Sequence, residues 1–240
     1  MLAALASPGI ALADACAPAL ATAERLILVT TATMADTTAR LETFERAPDR
    51  SWQAAMPARD IAVGSTGLGW AWTHTTGAAP GEPIKQEGDN RTPAGIFRIG
   101  RPFGFGASDL PGYVQLRPAQ TFCVDDPASD HYNRIVDRSV AGAETRGEDM
   151  ATIDLYRQGI EVDFPTNRER RGGSCIFLHV WKEPGQGTSG CIAGEQRLIE
   201  QLQTWTAGKP TAIAILPATA LPRFAACLPA PATNVSVPTR

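Results

Sequence analysis

The run Cys175-Ile176-Phe177-Leu178-His179-Val180-Trp181 constrains this chain more than any other stretch. A continuous apolar run of that length is the pattern of a central strand. Shorter aliphatic and β-branched runs surround it. Residues 25–31 (RLILVTT), 60–64, 69–72, 96–99, 113–116, 121–124, 153–156, 160–164 and 211–216 each read as strands, while 37–46 fits strand or helix by pattern alone. The 22 glycines and 19 prolines supply the turns between them. One segment reads clearly as a helix. Glu195 to Trp205 places Leu198, Ile199, Leu202 and Trp205 on one stripe, and Gly208 and Pro210 close it. The expectation is a single mainly β domain with one principal helix, without internal repeats.

At 240 residues the chain can bury a full core, and 43% hydrophobic with 20% charged residues is ordinary globular composition. A formal charge of −3 gives no attraction to nucleic acid or anionic lipid, so neither is expected as a partner. No apolar run reaches the roughly 20 residues that cross a bilayer, so no membrane-spanning segment is expected. Met1 to Ala13 is rich in Ala and Leu and ends in Ala11-Leu12-Ala13, an A-x-A-like cleavage site before Asp14. It lacks a basic n-region and reads as the remnant of an export signal. Residues 14–24 then form an N-terminal extension, 25–217 the folded domain, and 218–240 an Ala/Pro-rich tail lying on the surface.

The five cysteines are Cys16, Cys123, Cys175, Cys191 and Cys227. An odd number in an oxidising compartment leaves at least one thiol free. Cys16 and Cys227 lie near the two ends, where a staple would join the termini, although sequence does not fix connectivity. No C-x-x-C pair is present, which argues against structural zinc.

Thr188-Ser189-Gly190-Cys191-Ile192 delivers a cysteine from a polar, Gly-containing loop into the expected start of the helix. A helix N-terminus favours a thiolate and offers N–H groups to an oxyanion, and Gly190 permits close backbone approach. His179 precedes Cys191 by twelve positions, and a strand, a loop and a returning helix would bring its imidazole back to the thiol. A backbone carbonyl, Ser174 or an Asp would orient that ring. The plainer alternatives are a small buried cysteine and a hydrogen-bonded structural histidine. Arg134 is a candidate for gripping a carboxylate, Asn133 for positioning a loop, and Trp181 for lining a cleft. Cys175 faces the same side as His179 if the strand is regular, and reads as core. His74 and His131 have no partner legible in the sequence.

His179 followed by Thr188-Ser189-Gly190-Cys191-Ile192 resembles the active-site signature of the L,D-transpeptidase catalytic-domain (YkuD-type) family: a His, a spacer, Ser/Thr, a variable residue, Gly and Cys. Gly88-Asp89-Asn90-Arg91-Thr92-Pro93-Ala94-Gly95-Ile96-Phe97 resembles its second recurring segment, a Gly-rich loop ending in T-P-x-G-x-F. The resemblance covers residues 25–216. Ser189 stands where many members have His, and only eight residues separate His179 from Thr188.

The resemblance implies a β-sandwich catalytic domain with two sheets around a cleft and a principal helix after the nucleophile. It also implies attack by a cysteine on the meso-diaminopimelate carbonyl of a peptidoglycan tetrapeptide stem. Release of D-Ala leaves a thioester, which a neighbouring stem's amine resolves into a 3–3 cross-link. Resolution by water would make a carboxypeptidase or endopeptidase, and a silent wall-binding protein is the alternative outside enzymes. Carried over residue by residue, Cys191 is the nucleophile, His179 the base, Gly190 the oxyanion and backbone support and Thr188 the loop stabiliser, with Ser189 beside them. Stem peptides are the expected partner, and neither a metal nor an organic cofactor is expected.

Overall fold

The computed structural model describes residues 17–229. The expected signal segment and the Cys16 half of the expected staple lie outside the described residues.

The strands are β1 (Arg25–Thr31), β2 (Thr38–Arg46), β3 (Trp52–Ala62), β4 (Leu68–Trp70), β5 (Thr92–Gly104), β6 (Val114–Gln115) and β7 (Thr121–Val124). They continue as β8 (Ile135–Asp137), β9 (Gly147–Asp149), β10 (Gln158–Asp163), β11 (Phe177–Val180), β12 (Ile192–Gly194) and β13 (Thr211–Pro217). The helices are α1 (Pro18–Ala21), α2 (Arg138–Ala141) and α3 (Gln196–Thr206), and short 3₁₀ turns lie between some of the strands. The fold is mainly β, as the sequence predicts.

The main sheet runs β10-β11-β12-β3-β2-β1-β13-β5-β4, and β10 also pairs with β5. The pairing therefore closes on itself through β5. Its first half (Gly95–Arg98) pairs with β13 and its second half (Arg98–Gly104) with β10. Thirteen residues is long for a strand, and one strand serving both faces explains why. The core between the faces includes Ile27, Val29, Ile213, Ile215, Phe97 and Ile160. Helix α3 lays Leu198, Ile199 and Leu202 into it, matching the expected stripe. Gln203 accompanies them, buried, and its amide donates to the carbonyls of Phe103 (2.8 Å) and Gly159 (2.7 Å). A buried amide is tolerable only when its donors are used in this way.

A second sheet, β8-β7-β9, stands apart. Phe103, Leu116, Ile135, Met150, Tyr156 and Phe177 form the smaller core that joins it to the main sheet. A disulfide between Cys123 of β7 and Cys175, 52 positions on, ties the two together.

Four sequence expectations change. Residues 153–156 are not a strand: two 3₁₀ turns, Met150–Thr152 and Asp154–Arg157, occupy that stretch. Strand β3 begins well before residue 60, because its first residues are mostly exposed and carry no apolar face to read. Pro57 falls where the β2–β3 register shifts, and the hydroxyl of Thr43 takes the N–H of Met56 there (3.1 Å). Residues after Pro217 do not simply cover the surface: Phe224 and Leu228 are buried in the main core. Finally, Cys191 does not open a helix. It precedes β12, and α3 starts only at Gln196.

Candidate active site

β11 and β12 are parallel neighbours, with Leu178 opposite Ile192 and His179 opposite Ala193. That register puts Cys191 and His179 on the same face of adjacent strands, and both line one cleft of about 490 Å³. A strand thus does the work that the sequence assigned to a returning helix, and the helix-dipole argument for a low thiol pKa lapses. The Cys191 side chain is buried, and it is the free cysteine among the described residues. Its Sγ accepts the Phe177 N–H (3.3 Å) and its thiol faces the Cys175 carbonyl (3.4 Å). Burial, then the nearby Glu148 carboxylate, pushes the thiol up to about 12, against the pull of the Phe177 N–H.

His179 is 4% exposed. Its Nδ1 lies 2.8 Å from the carbonyl of Val180. A carbonyl only accepts, so Nδ1 carries the hydrogen and the neutral ring keeps Nε2 as its acceptor. Of the three orienting groups left open by the sequence, the backbone carbonyl is the one found. Burial pushes the imidazolium down to about 4. At neutral pH the site therefore rests as thiol and imidazole, not as an ion pair.

The loop before Cys191 is tied by four hydrogen bonds of Thr188. Thr188 donates its backbone N–H to Val63 (2.9 Å) and accepts from Ser65 (2.7 Å). Its hydroxyl donates to the Cys191 carbonyl (2.6 Å) and accepts the Gly190 N–H (3.1 Å). Gly190 has φ +140°, and a Cβ there would meet the Arg91 carbonyl at 3.0 Å. That conformation and close approach suit a residue without a side chain. Its N–H, however, is spent on Thr188, which leaves the expected oxyanion role without that donor. From the other motif, Thr92 donates its hydroxyl to the same Cys191 carbonyl (3.1 Å) while accepting the Gly64 N–H (2.8 Å).

Thr188, Ser189 and Trp181 all line the cleft. Arg134 does not: it is exposed, just before β8. Asn133 beside it does position a loop, bridging the Phe164 carbonyl (3.1 Å) and the Cys175 N–H (2.9 Å). Cys175 lines the cleft as half of the disulfide. His74 lies away from it, accepting the Ile96 N–H through Nε2 (3.2 Å).

Several cleft residues are invisible to motif reading. Lys85, buried, pairs with Asp89 and donates to the Gln86 carbonyl (2.7 Å). Glu87 accepts from Tyr132 (2.5 Å) and Ser174 (2.7 Å). Asp125 and Glu148 reach in from the small sheet, and Tyr156 donates to Glu148 (2.9 Å). Burial pushes the Glu148 carboxyl up to about 6, with Asp125 and Glu87 adding to it and Tyr156 opposing. Among the described residues, no group of three or more His, Cys, Asp or Glu is placed to hold a metal ion.

The YkuD family profile, described as the L,D-transpeptidase catalytic domain, matches residues 35–216. The chain belongs to the L,D-transpeptidase catalytic-domain family. The match takes in both motifs whose threonines converge on the Cys191 carbonyl. No curated protein sequence matches the chain. Among solved structures it is similar to the helical cell shape determining protein Pgp2 from Campylobacter jejuni (16% identity) and to a point mutant of that protein (17%), with a TM-score of 0.41 for each. These alignments cover 85% and 80% of this chain but 53% and 47% of the other chains, so this L,D-transpeptidase-family chain spans about half their length. No helix among its described residues is long and apolar enough to cross a membrane.

Proposed function

We propose that this protein is an exported peptidoglycan L,D-transpeptidase, periplasmic or secreted, in which Cys191 is the nucleophile and His179 its general base. The observation that carries the reading is the shared cleft: a free thiol and an imidazole with its acceptor nitrogen left available lie on one face of adjacent strands, inside a chain of this family.

The chemistry follows from the neutral resting pair. Because burial disfavours both ions, proton transfer accompanies attack and does not precede it. As Sγ bonds to the meso-diaminopimelate carbonyl carbon of a tetrapeptide stem, Nε2 of His179 takes the thiol proton. Collapse of the tetrahedral intermediate breaks the bond to D-Ala, whose nitrogen leaves with that proton. The thioester is then resolved by the amine of a second stem, whose proton returns the sulfur to the thiol as the 3–3 cross-link forms. Thr92 and Thr188 fix the carbonyl of Cys191 and so the direction of its side chain. Trp181 and Ser189 line the approach for the stem.

Hydrolysis of the same thioester is the second reading. The eight-residue spacer after His179 runs mostly exposed over 182–186, which leaves water a way in.

The test is mass spectrometry of purified protein incubated with disaccharide-tetrapeptide, beside Cys191→Ala. A cross-linked dimer lacking one D-Ala, absent from the variant, supports transpeptidation, and a disaccharide-tripeptide supports carboxypeptidase action. Identical, unchanged tetrapeptide in both samples, with cross-linked muropeptides also left intact, removes the proposal.

A further inference from the structure

Tyr156 is the least accounted-for group around Cys191. Its ring is buried edge-on against His179 (5.2 Å between centroids) and Phe177 (5.3 Å), which fixes where the hydroxyl sits. That hydroxyl donates to Glu148 Oε2 at 2.9 Å, and it is near enough to the Cys191 sulfur for the two to interact electrostatically. A phenol has one hydrogen to give. It serves the carboxylate or the sulfur, not both.

We propose that Glu148 is a positioning residue for Cys191 that acts through Tyr156: as a carboxylate it holds the phenol hydrogen away from the sulfur, and on taking up a proton it releases that hydrogen to stabilise the thiolate. The inference rests on Cys191 being the nucleophile.

The protons balance. In the first state the Glu148 carboxylate accepts from Tyr156, and Cys191 is a thiol. One proton from the solvent-open cleft converts Glu148 to a carboxylic acid, whose O–H donates to the Tyr156 oxygen, and the phenol hydrogen turns to Sγ. When Nε2 of His179 then takes the thiol proton, the thiolate keeps two donors, the Phe177 N–H and the Tyr156 O–H. Hydrogen bonds to an ionised sulfur are the stronger kind, so the second donor matters most at that moment.

The surroundings tune the exchange. Burial raises the proton affinity of Glu148, Tyr156 opposes it, and the nearby carboxylates of Asp125 and Glu87 add to it. Lys85 and His179 line the same cleft. Glu148 belongs to β9, paired with β7 at Cys123, so the disulfide to Cys175 ties its strand to the segment whose carbonyl faces the Cys191 thiol.

Alkylation of Cys191 by iodoacetamide between pH 5 and 9, located by peptide mass spectrometry, reads the thiol without any substrate. With Glu148→Gln, the rate at pH 7.5 is expected to rise about tenfold, the fold-change of one charge-assisted hydrogen bond. In a Tyr156→Phe background the same substitution is expected to gain less than threefold. The wild type supplies a readout independent of folding in the variants. Its log rate climbs by less than one decade per pH unit while Glu148 loses its proton, then by a full decade above that range. A unit slope throughout, or a Glu148→Gln gain undiminished by Tyr156→Phe, overturns the proposal. Turnover surviving in Cys191→Ala would instead overturn the nucleophile reading, leaving the alkylation result intact.

Discussion

Thr92 donates its hydroxyl to the carbonyl of Cys191 across 99 positions of sequence, and the same hydroxyl accepts the buried N–H of Gly64. The two motifs that mark the family thus meet at one oxygen atom, that of the Cys191 carbonyl, which Thr188 holds from its other side.

The first prediction concerns that junction. Thr92→Val keeps shape but leaves the Gly64 N–H, and part of the Cys191 carbonyl, without a partner in a fully buried place. An unsatisfied buried donor costs about 1–3 kcal/mol. Urea melts should show a loss in that range with an unchanged m-value. Turnover should fall more than tenfold, because the backbone of the proposed nucleophile loses one of its two side-chain donors. A variant of wild-type stability and activity would show Thr92 to be dispensable.

Much of this site is legible in the sequence because its chemistry is local: Gly190 and Thr188 shape a turn within four residues, and His179 rides a fully buried strand. What the sequence misplaces has a physical reason. Ile192-Ala193-Gly194 is too short for periodicity to decide, so it reads as the lead-in to α3 when it is a buried strand beside β11. Glu148 and Tyr156 come from a short edge of a small sheet and a 3₁₀ turn. Their role arises only when Cys123 and Cys175 pin that sheet to the main one, and no spacing encodes such a contact.

The second prediction is Gly190→Ala. With φ at +140° and the Arg91 carbonyl 3.0 Å from the new Cβ, the backbone must shift where it carries Cys191. Strain of this kind costs on the order of 1–3 kcal/mol. Turnover is expected to drop by at least a hundredfold while far-UV circular dichroism stays native, since the shift is confined to the loop. Retained turnover would show that the loop tolerates the change.

The third concerns the disulfide. Closing a loop of 52 residues in the unfolded chain is worth about 4 kcal/mol in the chain-entropy account. Here the bond also anchors the segment whose carbonyl and amide flank the Cys191 sulfur. Cys123→Ala with Cys175→Ala should therefore lower stability by several kcal/mol and raise the alkylation rate of Cys191, as its burial loosens. Equal melting midpoints for the double variant and the oxidised wild type would refute it.

The fourth is a dependence of stability on pH, in which two groups oppose each other. His179, held down to about 4 from an ordinary 6.5, is neutral in the fold. As pH falls below 6.5 the unfolded chain takes up this proton first. The stability from His179 is therefore complete above 6.5 and is lost on the way down to 4, about 3 kcal/mol in all. Glu148, held up to about 6 from 4.5, behaves in reverse. Its contribution is complete below 4.5 and disappears as pH rises through 6, roughly 2 kcal/mol when fully lost, so a neutral residue there relieves the fold at pH 7.5. Urea melts of Glu148→Gln should thus exceed wild type by about 1–2 kcal/mol at pH 7.5 and converge with it at pH 4.5. His179→Gln should lose the acid-side decline between 6.5 and 4. Parallel stability curves for all three proteins would mean that neither group titrates differently in the fold than in the unfolded chain.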